Sequence, residues 1–270
     1  MIDGELCVIL RTCEGKSMRG AARPYGLDKT QVIKACFRSL RDSMLLGHFP
    51  RPHLHIIDDG SSDELRKWLE GFHDYDKRPI LHCFENLGGN GSFAEALKLI
   101  EALKLRDEDY VYLCEDDYFY SSDCFWQMRD FLDLYSGHVF LSPYHQHLWL
   151  TRTMQVRQAG TERGYDICSD VAEAVKGVPT RQALMGSHCW WMQLYYTTLT
   201  FMARMGTLRK HWPTILETAV DSNDGHLSTC YQIDSCYTPI PGLASHFQEG
   251  CETPYFTDHL VERRVKDMAQ

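Results

Sequence analysis

The stretch Tyr110-Val-Tyr-Leu-Cys-Glu-Asp-Asp117 runs without alternation through five apolar or aromatic residues and stops at three carboxylates. A short continuous apolar run of this kind reads as a strand buried on both faces. The same pattern recurs upstream. Leu6-Cys-Val-Ile-Leu10 ends at Arg11-Thr12, and His53-Leu-His-Ile-Ile57 runs into Asp58-Asp-Gly-Ser-Ser62. Ile80-Leu-His-Cys-Phe84 is followed by Asn86-Leu-Gly-Gly-Asn-Gly-Ser92. Helical spacing separates these runs. From Asp28 to Leu46, apolar Val32, Ile33, Cys36, Phe37 and Leu40 recur at three- and four-residue steps. Further helices are predicted over 63–72, 93–105 and 122–135, and a short strand over 139–141. Strands alternating with helices predict an α/β fold with a mostly parallel central sheet and helices on both faces. In such a sheet ligands bind beyond the carboxyl ends of the strands, where all four polar groups fall.

Beyond residue 142 the pattern weakens. Residues 160–164 and 176–179 read as loops, 183–185 as a short strand and 187–205 as an aromatic-rich helix. A polar-to-helix switch falls at 221–232. The tail after Gly242 reads as irregular, with one short helix near the end. No repeat or low-complexity linker divides the 270 residues, so residues 1–142 and 143–270 are expected to be two halves of one compact domain.

Hydrophobic residues make up 44 % of the chain and charged residues 24 %, enough for a sizeable core. Lys and Arg number 28 against 37 Asp and Glu, a net charge of −9. That balance argues against a nucleic-acid partner. No stretch approaches the ~18 apolar residues of a membrane span, and no signal-like leader opens the chain. Eleven cysteines occur without a CxxC pair or tight Cys/His cluster, and Cys7, Cys83 and Cys114 lie in apolar runs as small buried hydrophobes. These features imply a reducing compartment, hence a cytoplasmic protein or a soluble catalytic piece of a larger one.

Glu115-Asp-Asp117 carries the sharpest chemical signal. Adjacent carboxylates repel, so a fold keeps them together in water or around a cation. Residues 115 and 117 share a side in extended geometry, and Mg²⁺ or Mn²⁺ takes a few carboxylates plus phosphate oxygens. The plain alternative is a solvated acidic turn. The D-x-[DN]-x-[DN]-G pattern of a Ca²⁺ loop is absent, as are the dinucleotide fingerprint and the Walker loop. The glycines of residues 86–92 instead let backbone N–H groups and a helix start approach an anion or a sugar hydroxyl.

Taken in order, Ile56-Ile-Asp-Asp-Gly-Ser-Ser-Asp63, Asn86-Leu-Gly-Gly-Asn-Gly91 and Val111-Tyr-Leu-Cys-Glu-Asp-Asp117 resemble the nucleotide-sugar-dependent glycosyltransferases of the GT-A fold, especially the family 2-like inverting enzymes. The resemblance covers about the first half of the chain. It implies a metal-dependent enzyme that moves a sugar from a nucleoside-diphosphate-sugar to a glycan or other hydroxyl-bearing acceptor, with inversion. Residues 1–142 would bind the donor and 143–270 the acceptor. The acid after the second strand would hold the base or ribose, a role for Asp58 or Asp59. Arg11, Thr12 and Asn90, at the other strand ends, would join the donor site. The family's Asp-x-Asp metal motif reads Glu115-x-Asp117 here and departs at its first position. Some relatives carry Glu-Asp-Asp, which makes Asp117 the first metal ligand, with Glu115 beside it, and Asp116 a ribose contact. Pro239-Ile-Pro-Gly-Leu-Ala-Ser-His246 resembles the late segment that places a histidine on metal or diphosphate, a role for His246. Asp221-Ser-Asn-Asp-Gly-His226 stands where the acidic base opens a helix. Asp224 is the preferred base, because Gly225 leaves room beside it, and Asp221 the second.

Two other classes compete. A sugar-phosphate nucleotidyltransferase would carry a glycine-rich run after the first strand, where Arg11-Thr-Cys-Glu-Gly15 has none. A non-catalytic carbohydrate-binding protein would use the carboxylates only as surface. A serine hydrolase is weaker, since Gly186-Ser-His188 is not G-x-S-x-G. Trp190-Trp191 and Tyr195-Tyr196 read either as core or as an acceptor wall.

Overall fold

The structure, a computed structural model, describes residues 4–15, 23–50, 52–72, 78–144, 182–221, 224–248, 253 and 259–270. The loops expected at 160–164 and 176–179 lie outside the described residues.

Four strands form the parallel heart of the fold: β1 (Leu6–Thr12), β2 (His53–Asp59), β3 (Ile80–Phe84) and β4 (Tyr110–Glu115). β1 lies between β2 and β4, with Thr12 opposite Asp58 and Arg11 opposite Glu115. β3 pairs with β2 and sets Cys83 beside Asp58. The register brings all four polar strand ends to one edge, as the sequence predicts. β1 is buried at every position, which explains its unbroken apolar run.

The sheet continues through the second half of the chain. β6 (Phe140–Leu141), β7 (Ala183–Met185), β8 (Trp190–Leu194), β9 (Phe201–Arg204) and β10 (Cys236–Ile240) complete the order β3-β2-β1-β4-β9-β6-β10-β8-β7. β9 runs antiparallel to both β4 and β6, and β10 is parallel to β6 and antiparallel to β8. The parallel core therefore carries a mixed extension. A separate ribbon pairs β5 (Tyr118–Tyr120) with β11 (Ala244–His246).

Helices α1 (Lys29–Leu46), α2 (Asp63–Glu70), α3 (Gly88–Ala102) and α4 (Cys124–Leu134) follow β1, β2, β3 and β5. Asp28 opens α1 with a capping box: its side chain accepts from the Gln31 amide, and the Gln31 side chain accepts from the Asp28 amide. Val32, Ile33, Cys36, Phe37 and Leu40 are buried, so the predicted face is the packed one. Ser62 caps α2 through the Leu65 amide. Four more helices are α5 (Met205–Lys210), α6 (Trp212–Asp221), α7 (Gly225–Ile233) and α8 (His259–Met268), the last being the predicted terminal helix. None of the helices among the described residues is long and apolar enough to cross a membrane.

The structure corrects three expectations. Residues 187–204 carry β8 and β9 rather than a helix, and a helix begins only at Met205. Trp190 is half exposed and Trp191 buried, the period-2 alternation of a strand that splits the pair across the sheet. The glycine-rich turn is itself the first turn of α3, which begins at Gly88 rather than Phe93. Gly88 takes φ +67°, a conformation that L side chains rarely adopt. Cys83 is exposed, because β3 is an edge strand covered on fewer sides than β1 or β4.

β2 and β3 also pair two histidines, buried His55 and partly exposed His82. His55 Nδ1 lies 3.2 Å from His82 Nε2. Burial, then repulsion from His82 and His53, pushes the His55 pKa down to about 4. Between that value and the ordinary 6.5, the unfolded chain binds a proton that the folded chain refuses. Stability should therefore fall as pH drops from 6.5 towards 4. Urea denaturation at pH 7.5 and 5 should show the loss, and His55→Asn should flatten it.

Candidate active site

The site lies where β1, β2 and β4 end, and each carboxylate of the acidic run has its own basic partner. Glu115 Oε1 accepts from Arg11 Nη2 at 2.8 Å. Asp116 Oδ1 lies 2.5 Å from Lys29 Nζ, and Asp117 Oδ2 accepts from Arg23 Nη1 at 3.1 Å. The repulsion noted in the sequence is thus relieved within the chain.

Arg11 is buried, and its guanidinium ties three elements together. Besides Glu115 it donates to the Gly89 carbonyl and to Ser92 Oγ in the first turns of α3, and it stacks over Phe93. Asp116 is a second tie. Its Oδ2 accepts from Thr12 Oγ1 at 3.0 Å and from the Cys13 amide at 2.9 Å, locking the end of β1 to the end of β4. Thr12 and Asp116 therefore meet directly. Lys29 brings the start of α1 to the same carboxylate. Burial opposes the ammonium charge there, but Asp116 and Asp117 outweigh it and raise the Lys29 pKa.

The two aspartates that end β2 have different surroundings. Asp58 is fully buried, and Arg66 Nε of α2 donates to its Oδ2 at 2.7 Å. Its Oδ1 has no hydrogen-bond partner among the described residues. Asp59 accepts from the Leu87 and Gly88 amides, both at 2.8 Å, and so fixes the turn that opens α3. Asn90, in that turn, donates through Nδ2 to the Val220 carbonyl at 2.8 Å. This bond brings the end of α6, and with it the start of the 221–224 stretch, to the α3 turn.

His246 reaches the acidic run through the β5–β11 ribbon, in which it stands opposite Tyr118. The Phe247 amide donates to the Asp117 carbonyl at 2.7 Å, and the Tyr118 ring stacks on His246 with centroids 4.8 Å apart. The result is 3.3 Å between His246 Nε2 and Asp117 Oδ2. Burial would raise the Asp117 pKa, but His246, Lys29 and Arg23 together hold it well below the usual carboxylate range.

Asp224 occupies the N-cap position of α7 and makes no side-chain cap bond there. Asp221 is the last residue of α6. Sequence reasoning missed Arg23, Lys29 and Arg66. Only Lys29 left a trace: a cation in the first turn of a helix opposes the macrodipole and calls for a nearby carboxylate.

Comparison with curated proteins returns no match. Among solved structures, the chain is similar to a galactosyltransferase, LgtC, in complex with donor and acceptor sugar analogs. The identity is 11 %, over 97 % of this chain and 95 % of that one, with a TM-score of 0.49. It is also similar to the 4-diphosphocytidyl-2C-methyl-D-erythritol synthase of Anaerococcus prevotii, at 10 % identity over 98 % and 96 % of the two chains and a TM-score of 0.43. Residues 27–165, just over half of the sequence, match the model of glycosyl transferase family 2. That stretch contains both aspartates at the end of β2, the α3 turn and the three carboxylates at the end of β4, and the chain belongs to glycosyl transferase family 2.

Proposed function

We propose that the protein is a metal-dependent inverting glycosyltransferase that uses a nucleoside-diphosphate-sugar. The observation that carries this reading is the meeting of Asp117 and His246, 3.3 Å apart, beside the ends of β1, β2 and β4. Two ligands of one divalent ion stand about 3 Å apart, as their ~2.1 Å bonds require. Among the described residues no group of three or more His, Cys, Asp or Glu is placed to hold a metal ion by itself. The ion would need donor phosphates and water to complete its shell, a common arrangement for Mg²⁺ and Mn²⁺. Asp117 and His246 would hold the ion, with Glu115 nearby on Arg11. Bound there, the ion would neutralise charge on the departing diphosphate.

The chain's own groups would do the rest. Asp58 Oδ1, which has no hydrogen-bond partner among the described residues, is the acceptor on offer for the imide N–H of a uracil or thymine, and a guanine imide would satisfy it equally. Asp59 holds the turn above. Asp116 keeps one lone pair, on Oδ1, for a ribose hydroxyl. Arg11 and Thr12 shape the donor site through Glu115 and Asp116, and Asn90 links it to the acceptor half. Asp224, at the start of α7, would take the proton of the acceptor hydroxyl. The acceptor oxygen then bonds to the anomeric carbon as the bond to the diphosphate oxygen breaks on the opposite face, which inverts the centre. Residues 1–142 would carry the donor and 143–270 the acceptor. The nine described cysteines are free thiols, which suits a cytoplasmic setting.

Three outcomes are expected. Asp117→Ala should abolish the Mn²⁺-dependent part of nucleoside diphosphate binding in calorimetric titration while leaving the folded state intact; unchanged metal dependence would move the ligand elsewhere. UDP should bind more tightly than CDP, since cytosine has no imide proton, and equal affinities would count against Asp58 and Asp59 as base readers. Asp224→Asn should lower turnover by roughly 10²–10⁴-fold with donor affinity nearly unchanged. Side-by-side kinetics with Asp221→Asn identify the base: loss only in the second variant assigns it to Asp221, and loss in neither removes both.

A further inference from the structure

Arg23 stands where the ion of the proposed reaction would have to enter. Its Nη1 donates to Asp117 Oδ2 at 3.1 Å and to the Phe247 carbonyl at 3.1 Å. Asp117 Oδ2 is also the oxygen that lies 3.3 Å from His246 Nε2. One guanidinium and one imidazole thus converge on a single carboxylate oxygen. The two other cations of the cluster do not share it. Arg11 is spent on Glu115 and α3, and Lys29 bonds Asp116 Oδ1. Arg23 is held from one side by the backbone carbonyl of Phe247, the residue after His246, so it touches both segments that carry the proposed ligands.

We propose that Arg23 is a resident substitute for the divalent ion: it occupies the cation position on Asp117 in the unliganded protein and must leave Oδ2 for the ion to bind. The inference rests on the metal reading above and adds to it an exchange within this chain. A guanidinium keeps its charge at every accessible pH, so it cannot yield by deprotonation. A divalent ion on the same oxygen would lie within a few Å of that charge, and the repulsion is steep in a half-buried site. Displacement of the side chain is the remaining route. Once released, the planar fork matches phosphate oxygens, which would turn a competitor of the bare ion into a contact for the diphosphate. The exchange predicts that the protein takes up the ion weakly alone and well only with the nucleotide.

The test is Mn²⁺ binding to the whole chain without nucleotide, followed by the electron paramagnetic resonance signal of free Mn²⁺. Arg23→Gln should bind Mn²⁺ about tenfold more tightly than the parent chain, since the competing charge is gone. UDP should then enhance Mn²⁺ binding less than it does in the parent. Arg23→Lys, which keeps a charge but cannot fork between Asp117 and the Phe247 carbonyl, should fall between the two, and it decides the matter if Arg23→Gln does not fold. Thermal melting reports on folding. Mn²⁺ affinity that is unchanged or weaker in the variants overturns the exchange and leaves the metal reading standing. Absence of Mn²⁺ binding in every variant, even with saturating UDP, overturns both. Tight binding that survives Asp117→Asn in the Arg23→Gln background places the ion elsewhere and also overturns the exchange.

Discussion

Three consecutive carboxylates cannot be packed at the end of a buried strand without three positive charges to meet them. Glu115, Asp116 and Asp117 satisfy that constraint with Arg11, Lys29 and Arg23, at 2.8, 2.5 and 3.1 Å. Each cation comes from a different place: the end of β1, the start of α1 and the segment between them. The charge requirement therefore gathers Arg11, Arg23 and Lys29 around the end of β4. It also explains why the site is built of ties as much as of reactive groups. A carboxylate half-removed from water is worth little to the fold by itself, and leaving one uncompensated is costly.

The same ties give the site rigidity. Asp116 joins β1, β4 and α1, Arg11 joins β1, β4 and α3, and Asp59 pins the turn that starts α3. Beneath them β1 is buried at every position and β4 at every position but Glu115. His246 is the exception in its origin, because it arrives on a two-stranded ribbon outside the main sheet. The ribbon is nevertheless fastened to the acidic run by the Phe247 amide and by ring stacking on Tyr118. Residues more than a hundred positions apart are thus held at hydrogen-bonding range.

The first half of this arrangement was legible in the sequence because parallel strands announce themselves. Continuous apolar runs ended by polar groups needed only the parallel register to put Arg11, Asp58, Asp59 and Asp117 on one edge. The family resemblance of the three motifs agrees with the match over residues 27–165. The second half was harder for physical reasons. β8 and β9 are short, rich in aromatics and antiparallel, and at that length Trp190-Trp191 fits a helix as readily as a strand. β5 and β11 have three residues each, too few for any periodicity. Arg23 and Arg66 could not be matched to Asp117 and Asp58, because partners across a fold follow from tertiary geometry rather than from spacing. His246 was found only through resemblance to a segment of the family, not through a pattern of its own.

The central claim is that one edge of the sheet binds a nucleoside diphosphate around Asp117 and His246. A crystal structure of the protein soaked with UDP and Mn²⁺ tests it most directly. The account predicts Mn²⁺ held by Asp117 and His246 beside the diphosphate, with the uracil towards Asp58 and the Arg23 guanidinium moved off Asp117. Nucleotide bound away from the ends of β1, β2 and β4, or an ion held without Asp117, would contradict it.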